Sequence, residues 1–155
     1  MQHSTSTRER SLRGRARDGF RPSDRFRPRE ATLPADSAHI GRARAFADMA
    51  AHSFGFDQDA RFAFRMAISE VMANAIEHGS SSAEDVIRLR AADEDGTLVF
   101  YVTDVGVFTP PAELYDDALR DRGRGIEMIS WLMDELDVRS SYEGTVIRFA
   151  KRPAA

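Results

Sequence analysis

Ile68-Ser69-Glu70-Val71-Met72-Ala73-Asn74-Ala75-Ile76-Glu77-His78-Gly79 is the stretch on which the reading of this chain turns. Around it, apolar Phe62, Met66, Ala67, Val71, Ala75 and Ile76 recur close to the helical period, which predicts an amphipathic helix. On that helix Glu70, Asn74 and either Glu77 or His78 stand at i, i+4 and i+7 or i+8, so they share one polar stripe. Asparagine offers a neutral oxygen to a hard cation, and glutamate offers a base. The same stripe also reads as the solvated face of an ordinary surface helix, and the spacing alone leaves both readings open.

The rest of the chain narrows the choice. At 155 residues it fits one domain with a single core plus a modest tail. Hydrophobic residues at 42% and charged residues at 30% describe an ordinary globular composition. No run has the apolar length of a membrane span, and the Arg-rich start lacks the apolar core of a signal peptide. The absence of cysteine excludes disulfides, thiol catalysis and cysteine-based zinc sites, and points to the cytoplasm. A formal charge of -3 argues against direct binding of nucleic acid.

Residues 1–30 hold Arg8, Arg10, Arg13, Arg15, Arg17, Arg21, Arg25, Arg27 and Arg29, with only Leu12, Phe20 and Phe26 large and apolar. Such a segment buries too little surface to offset its ordering entropy, so a disordered tail is expected. It reads as a basic arm for nucleic acid or an acidic partner, or as a leader without structural role; the last reading is preferred. The domain is expected over 31–153. Thr32-Leu33 suits a short edge strand, and Asp36 or Ser37 caps a helix with Ile40, Ala43, Phe46, Ala47 and Ala50 on its apolar face. Gly55 ends that helix, and Asp57 or Asp59 starts the one carrying Glu70. The period then changes: Val86 to Ala91 and Leu98 to Thr103 are strand-like around an Asp95-Gly96 turn. A third helix is expected from about Gly125 to Asp134, with Ile126, Ile129, Leu132 and Met133 facing inward, followed by a hairpin turning at Glu143-Gly144. This order predicts an α+β fold, a two-layer sandwich with a mixed, mostly antiparallel sheet covered on one face by helices.

Three further places look like ligand-binding backbone. Asp104-Val105-Gly106 ends the apolar strand Val99 to Val102. There a carboxylate can accept from a ligand amine while Gly106 lets the backbone approach a flat ring. Arg122-Gly123-Arg124-Gly125-Ile126 opens a helix, where exposed N–H groups and the helix dipole favour phosphate. Gly144-Thr145 brings a hydroxyl into the late hairpin. Each alone also reads as a plain turn or cap.

Taken in order, these motifs resemble the Bergerat-type (GHKL) ATP-binding fold of gyrase, histidine kinases and MutL. Within it, the likeness is greatest to the anti-sigma factor serine kinases of the RsbW and SpoIIAB type. Ile68 to His78 resembles that family's N-box; Arg124-Gly125-Ile126-Glu127-Met128-Ile129 and then Met133 to Val138 resemble its glycine box and following strand. The resemblance spans roughly Ala31 to Arg152. It implies that Glu70 is the general base for an acceptor serine and that Asn74 holds Mg²⁺ against the triphosphate of ATP. It further implies that Asp104 accepts from the adenine amino group and that Gly106 lines the base pocket. His78 belongs to the same nucleotide-binding box. Gly123, Arg124 and Gly125 would wrap the phosphates under a lid spanning Pro110 to Arg122, with Ile126 in the same nucleotide-binding box and Thr145 at the adenine end. The implied partners are a sigma factor and a STAS-type anti-anti-sigma protein, with a homodimer as the expected assembly. One departure from the family pattern is Val107, where a second glycine is usual. That favours an alternative in which the chain senses nucleotide as a binding switch without significant kinase activity.

Overall fold

The computed structural model describes residues 26–80, 82–104 and 125–155. Expectations for the Arg-rich residues before 26, for Gly106, Gly123 and Arg124, and for the segment 110–122 lie outside the described residues. Strand β1 (Arg29–Pro34) leads through a 3-10 turn (Ser37–His39) into helices α1 (Ile40–Phe54) and α2 (Gln58–Asn74). Strands β2 (Val86–Glu94) and β3 (Thr97–Asp104) follow. A helix described over 125–132, α3, precedes strands β4 (Glu135–Ser141) and β5 (Gly144–Lys151). The packed fold begins slightly earlier than expected, because β1 starts at Arg29 and the Phe26 ring packs edge-on against Phe54 at 5.2 Å.

The described strands form one sheet in the order β1-β2-β3-β5-β4. Every neighbouring pair in it is antiparallel, where a mixed sheet was expected. The connections explain this. The α1–α2 hairpin returns the chain to the end it left, so Pro34 pairs with Val86. β4 runs in the same direction as β3, because both pair antiparallel with β5. β5, which hairpins back from β4, then lies between the two.

Local signals account for the boundaries. Asp36 Oδ1 accepts from Ala38 N at 2.9 Å, and Asp57 Oδ1 accepts from Ala60 N at 2.9 Å, each capping a helix start. Gly55, at φ 102°, closes α1 in the left-handed conformation that side chains disfavour. The β2–β3 turn has positive φ at both Asp95 (52°) and Gly96 (81°), as a two-residue hairpin turn requires.

The core is a chain of aromatic rings running from the helices into the sheet. Phe54, Phe56, Phe64, Phe100 and Phe149 meet in sequence at 5.2–5.4 Å, ending in the cross-strand pair Phe100 and Phe149 stacked at 3°. Burying such rings stabilises by about 1.5–3 kcal/mol apiece. One expectation for α2 is overturned. Phe62 and Met66 were placed on its apolar face, yet they are 54% and 36% exposed. The inward face is Ala63, Phe64, Ala67, Ile68, Val71 and Met72. Phe62 lies nine residues from Val71, half a turn round the helix, and so points to solvent.

Two charge clusters brace the layers. Asp48 on α1 receives Arg61 twice, at 2.6 and 3.1 Å, and Arg65 at 2.5 Å, both from α2. On the outer face of the sheet Arg148 bridges Glu135 at 2.8 Å and Glu94 at 3.1 Å, while the Tyr101 hydroxyl also donates to Glu94. The Glu135 hydrogen bond raises the Arg148 pKa further, and the Tyr101 hydroxyl lowers that of Glu94.

The hydrogen bond from Arg61 holds the Asp48 carboxyl below its ordinary value. A carboxylate with a depressed folded pKa stabilises above its unfolded pKa of about 3.9 and loses that contribution as pH falls through the lower folded value. Asp48→Asn is expected to cost about 1–2 kcal/mol at pH 7. Urea denaturation checks it: the gap between variant and wild type should narrow as the pH is taken below about 3.9.

Candidate functional site

The site is built where the end of α2 meets the end of β3. Past Asn74 the helix widens into a single π turn, Ala75–Gly79, secured by Ser80 Oγ donating to Ala75 O at 3.1 Å. Single π turns of this kind are common at functional positions. The wide turn seats Gly79 directly on Asp104. A methyl group at Gly79 would lie 1.7 Å from Asp104 Oδ2 and 2.7 Å from its Cγ. Asp104 closes β3 and is 2% exposed, a buried carboxylate at a strand end.

Beside this contact is a small cavity of about 30 Å³. Its polar lining is Asn74, Asp104 and Thr145; its apolar lining is Ala75, Val102, Ile126, Val138 and Ile147, with Gly79 between. Thr145 Oγ1 lies 3.0 Å from Ser140 Oγ across the β4–β5 hairpin. The buried amide nitrogen of Asn74 has no hydrogen-bond partner among the described residues. Leaving such a group unpaired is costly, and a half-turn of the amide would present its oxygen at the same place. The volume suits one or two waters.

Glu70 stands one turn before Asn74 but does not line this cavity. Its carboxylate lies against the start of the described part of α3, where a methyl group on Gly125 would fall 2.2 Å from Oε1. Two glycines therefore meet two carboxylates: Gly79 meets Asp104, and Gly125 meets Glu70. His78 sits at the π turn with Nε2 3.6 Å from Glu77 Oε2, and it does not line the cavity. Of the residues singled out in the sequence, the structure gathers Asn74, Asp104, Ile126 and Thr145 around one cavity, with Glu70 and Gly125 beside it. Sequence reasoning missed Gly79 and the walls Val102, Val138 and Ile147. The glycine at the end of the Asn74 helix was the available signal for the first. The walls read only as strand residues.

The family profile of the histidine kinase-like ATPase domain matches residues 33–151. The chain belongs to that family. Within it, the chain is similar to two proteins called serine-protein kinase RsbW. The relative from Bacillus velezensis is 27% identical over 131 residues, covering 76% of this chain and 81% of the relative. That from Oceanobacillus iheyensis is 27% identical over 136 residues, covering 79% and 84%. A crystal structure of the RsbU and RsbW domains of a Mycobacterium tuberculosis protein matches with a TM-score of 0.64 and 25% identity over 81% of this chain. The chain spans about a third of the length of that solved protein, 32%. The likeness to RsbW proteins expected from the motifs is thus borne out, as is the α+β fold. No described helix of this ATPase domain is long and apolar enough to cross a membrane.

The donors fit the nucleotide this family handles. A buried carboxylate can receive an exocyclic amine, apolar walls can sandwich a ring, and the unpaired amide can meet a further polar group. No group of three or more His, Cys, Asp or Glu side chains that could hold a metal occurs among the described residues.

Gly79→Ala must push Asp104 aside and is expected to weaken ATP-analogue binding by about tenfold or more. Gly41→Ala is the matched control, because a methyl group there meets nothing within 4 Å. It should leave binding unchanged and stabilise α1 by about 0.5–1 kcal/mol. Titration calorimetry with a non-hydrolysable ATP analogue and thermal unfolding measure both.

Proposed function

We propose that this chain is an ATP-dependent serine-protein kinase acting in an anti-sigma partner switch, and that Glu70, Asn74 and Asp104 carry the reaction. The observation that carries this reading is the meeting of Asn74 and Asp104 at one buried cavity with Glu70 one turn away, each carboxylate packed on a glycine. A module that only binds nucleotide has no need of a carboxylate beside the phosphate end.

In this reading Asp104 accepts from the adenine amino group, while Val102, Val138 and Ile147 enclose the ring and Thr145 supports its edge. Gly106 continues the base pocket. His78 belongs to the nucleotide-binding box without touching the base. Gly123, Arg124 and Gly125 surround the phosphates, with the backbone of the glycines and the Arg124 guanidinium offering donors, and Ile126 closes the cavity wall beside them. Mg²⁺, when bound at Asn74, neutralises charge on the triphosphate. Glu70 takes the proton from the acceptor serine hydroxyl as its oxygen bonds to the γ-phosphorus. The bond to the bridging oxygen breaks, and ADP leaves with the electron pair. Such transfer relies on positioning and charge more than on covalent chemistry.

The acceptor is a STAS-type anti-anti-sigma protein and the sequestered partner is a sigma factor; both are supported by the similarity to RsbW proteins. Assembly as a homodimer and residence in the cytoplasm follow from the same reading. The second reading, a nucleotide-sensing switch with little transfer, draws on Val107 where the family pattern has glycine.

Two substitutions test the roles of Glu70 and Asp104. Glu70→Ala is expected to bind ATP as the wild type does and to abolish transfer of labelled phosphate to a purified STAS-domain protein. Undiminished transfer by this variant would remove Glu70 from the mechanism. Asp104→Asn should weaken adenine nucleotide binding by about 1–3 kcal/mol, the cost of mispairing one buried polar group. Calorimetry that finds unchanged affinity would take Asp104 out of the base pocket.

A further inference from the structure

Of the aromatic and methionine side chains that the core leaves outside, Phe62, Met66 and Trp131 stand on α2 and α3, while Met49 is on α1 and Tyr142 is in the β4–β5 turn. On α2, Phe62 and Met66 are 54% and 36% exposed and stand at i and i+4. The next residue in that row, at i+8, is Glu70. On α3, Trp131 is 76% exposed, two positions beyond buried Ile129 and therefore on the solvent side of the helix.

The two helices are antiparallel. α2 runs from Phe64, which meets Phe100, to Gly79 on Asp104, and so follows β3. α3 runs from Gly125 beside Glu70 to Leu132, whose carbonyl accepts from Lys151 at 3.1 Å; Lys151 pairs with Leu98 at the other end of β3. Measured from the Glu70–Gly125 contact at about 1.5 Å per residue, Met66 lies about 6 Å back along α2, Phe62 about 12 Å back, and Trp131 about 9 Å along α3. The indole is thus level with the interval between Met66 and Phe62.

We infer that this outer track between α2 and α3 is the docking surface for the hydroxyl-bearing acceptor protein, delivering its serine to Glu70. This rests on the kinase reading above. The occupant is a folded protein surface with apolar side chains for Phe62, Met66 and Trp131 and an acidic flank on the α1 side. The flank follows from charge. Arg61 and Arg65 meet Asp48 across the α1–α2 seam and Arg44 reaches Ser69 there, with the Arg65 guanidinium 5.7 Å from the Phe62 ring centre; Asp59 and Glu127 stand one turn before Phe62 and Trp131 on their own helices. The location follows from continuity, because the track ends at the proposed base. Large exposed aromatics in one patch mark protein contact surfaces rather than ordinary solvated faces.

The test uses the full chain with Phe62→Ser and Met66→Ser combined, and separately Trp131→Ser. All three side chains are exposed, so folding should be kept, and circular dichroism checks it. With a purified STAS-domain acceptor and labelled ATP, each variant is expected to raise KM for the acceptor about tenfold or more, with kcat at saturating acceptor and KM for ATP within about twofold of wild type. Variants with wild-type KM for the acceptor overturn the docking surface and leave the kinase reading standing. If wild type transfers no phosphate yet binds the acceptor, and the variants lose that binding in calorimetry, the kinase reading fails alone. If wild type neither binds nor phosphorylates it, both fall. Variants that dissociate a wild-type dimer in gel filtration while keeping the acceptor KM assign the track to a second copy of this chain and overturn the proposal.

Discussion

The contact of Gly79 with Asp104 is the constraint around which the site is arranged. A strand end and a helix end can meet this closely only if the helix residue has no side chain. The π turn is what brings that residue there, since an unbroken α-helix would rotate it elsewhere. With the contact made, Asn74 is fixed one turn back along the helix, Asp104 is buried, and the walls from β3, β4 and β5 close around them. Glu70 and Gly125 repeat the device one turn further back, with the carboxylate on the helix and the glycine on the approaching element. Neither carboxylate could be placed so closely by charge alone. The absence of a Cβ opposite each one permits it.

Much of this was legible before any coordinates. Asp36, Gly55, Asp57 and Asp95-Gly96 marked their turns because each performs a local backbone task that few residues can. The row Glu70, Asn74 was legible because helical spacing is fixed by backbone geometry. What failed was judged on pattern without neighbours. Phe62 and Met66 look inward on hydrophobicity alone, but a helix has one inner face, and Phe64, Ile68 and Met72 already fill it. The sheet's wholly antiparallel pairing was hidden because the sequence does not reveal that β5 lies between β3 and β4. Val102, Val138 and Ile147 could not be told from other strand residues, since a cavity wall is defined by what stands opposite. Glu70's distance from the cavity lining is likewise a matter of three dimensions, because position i+4 says nothing of which neighbour arrives at i.

Both faces of the molecule are braced by arginine–carboxylate pairs, but the braces join different numbers of elements. On the outer face of the sheet, Arg148 ties β2, β4 and β5 together through Glu94 and Glu135, a polar lattice across strands. On the helical side the corresponding brace is the Asp48 cluster, which joins α1 to α2 but leaves α3 out of it. α3 is held instead by its buried Ile129 and by Lys151 and Asp134 at its far end, where Asp134 Oδ2 accepts from Arg152 N at 2.7 Å.

That difference has a mechanical side. The helix over 125–132 is a rod of about 12 Å, with Ile126 in the cavity wall near one end and Trp131 on the outer surface near the other. One short rigid element thus joins the interior of the molecule to its exterior, and any displacement of that element as a body is carried to both.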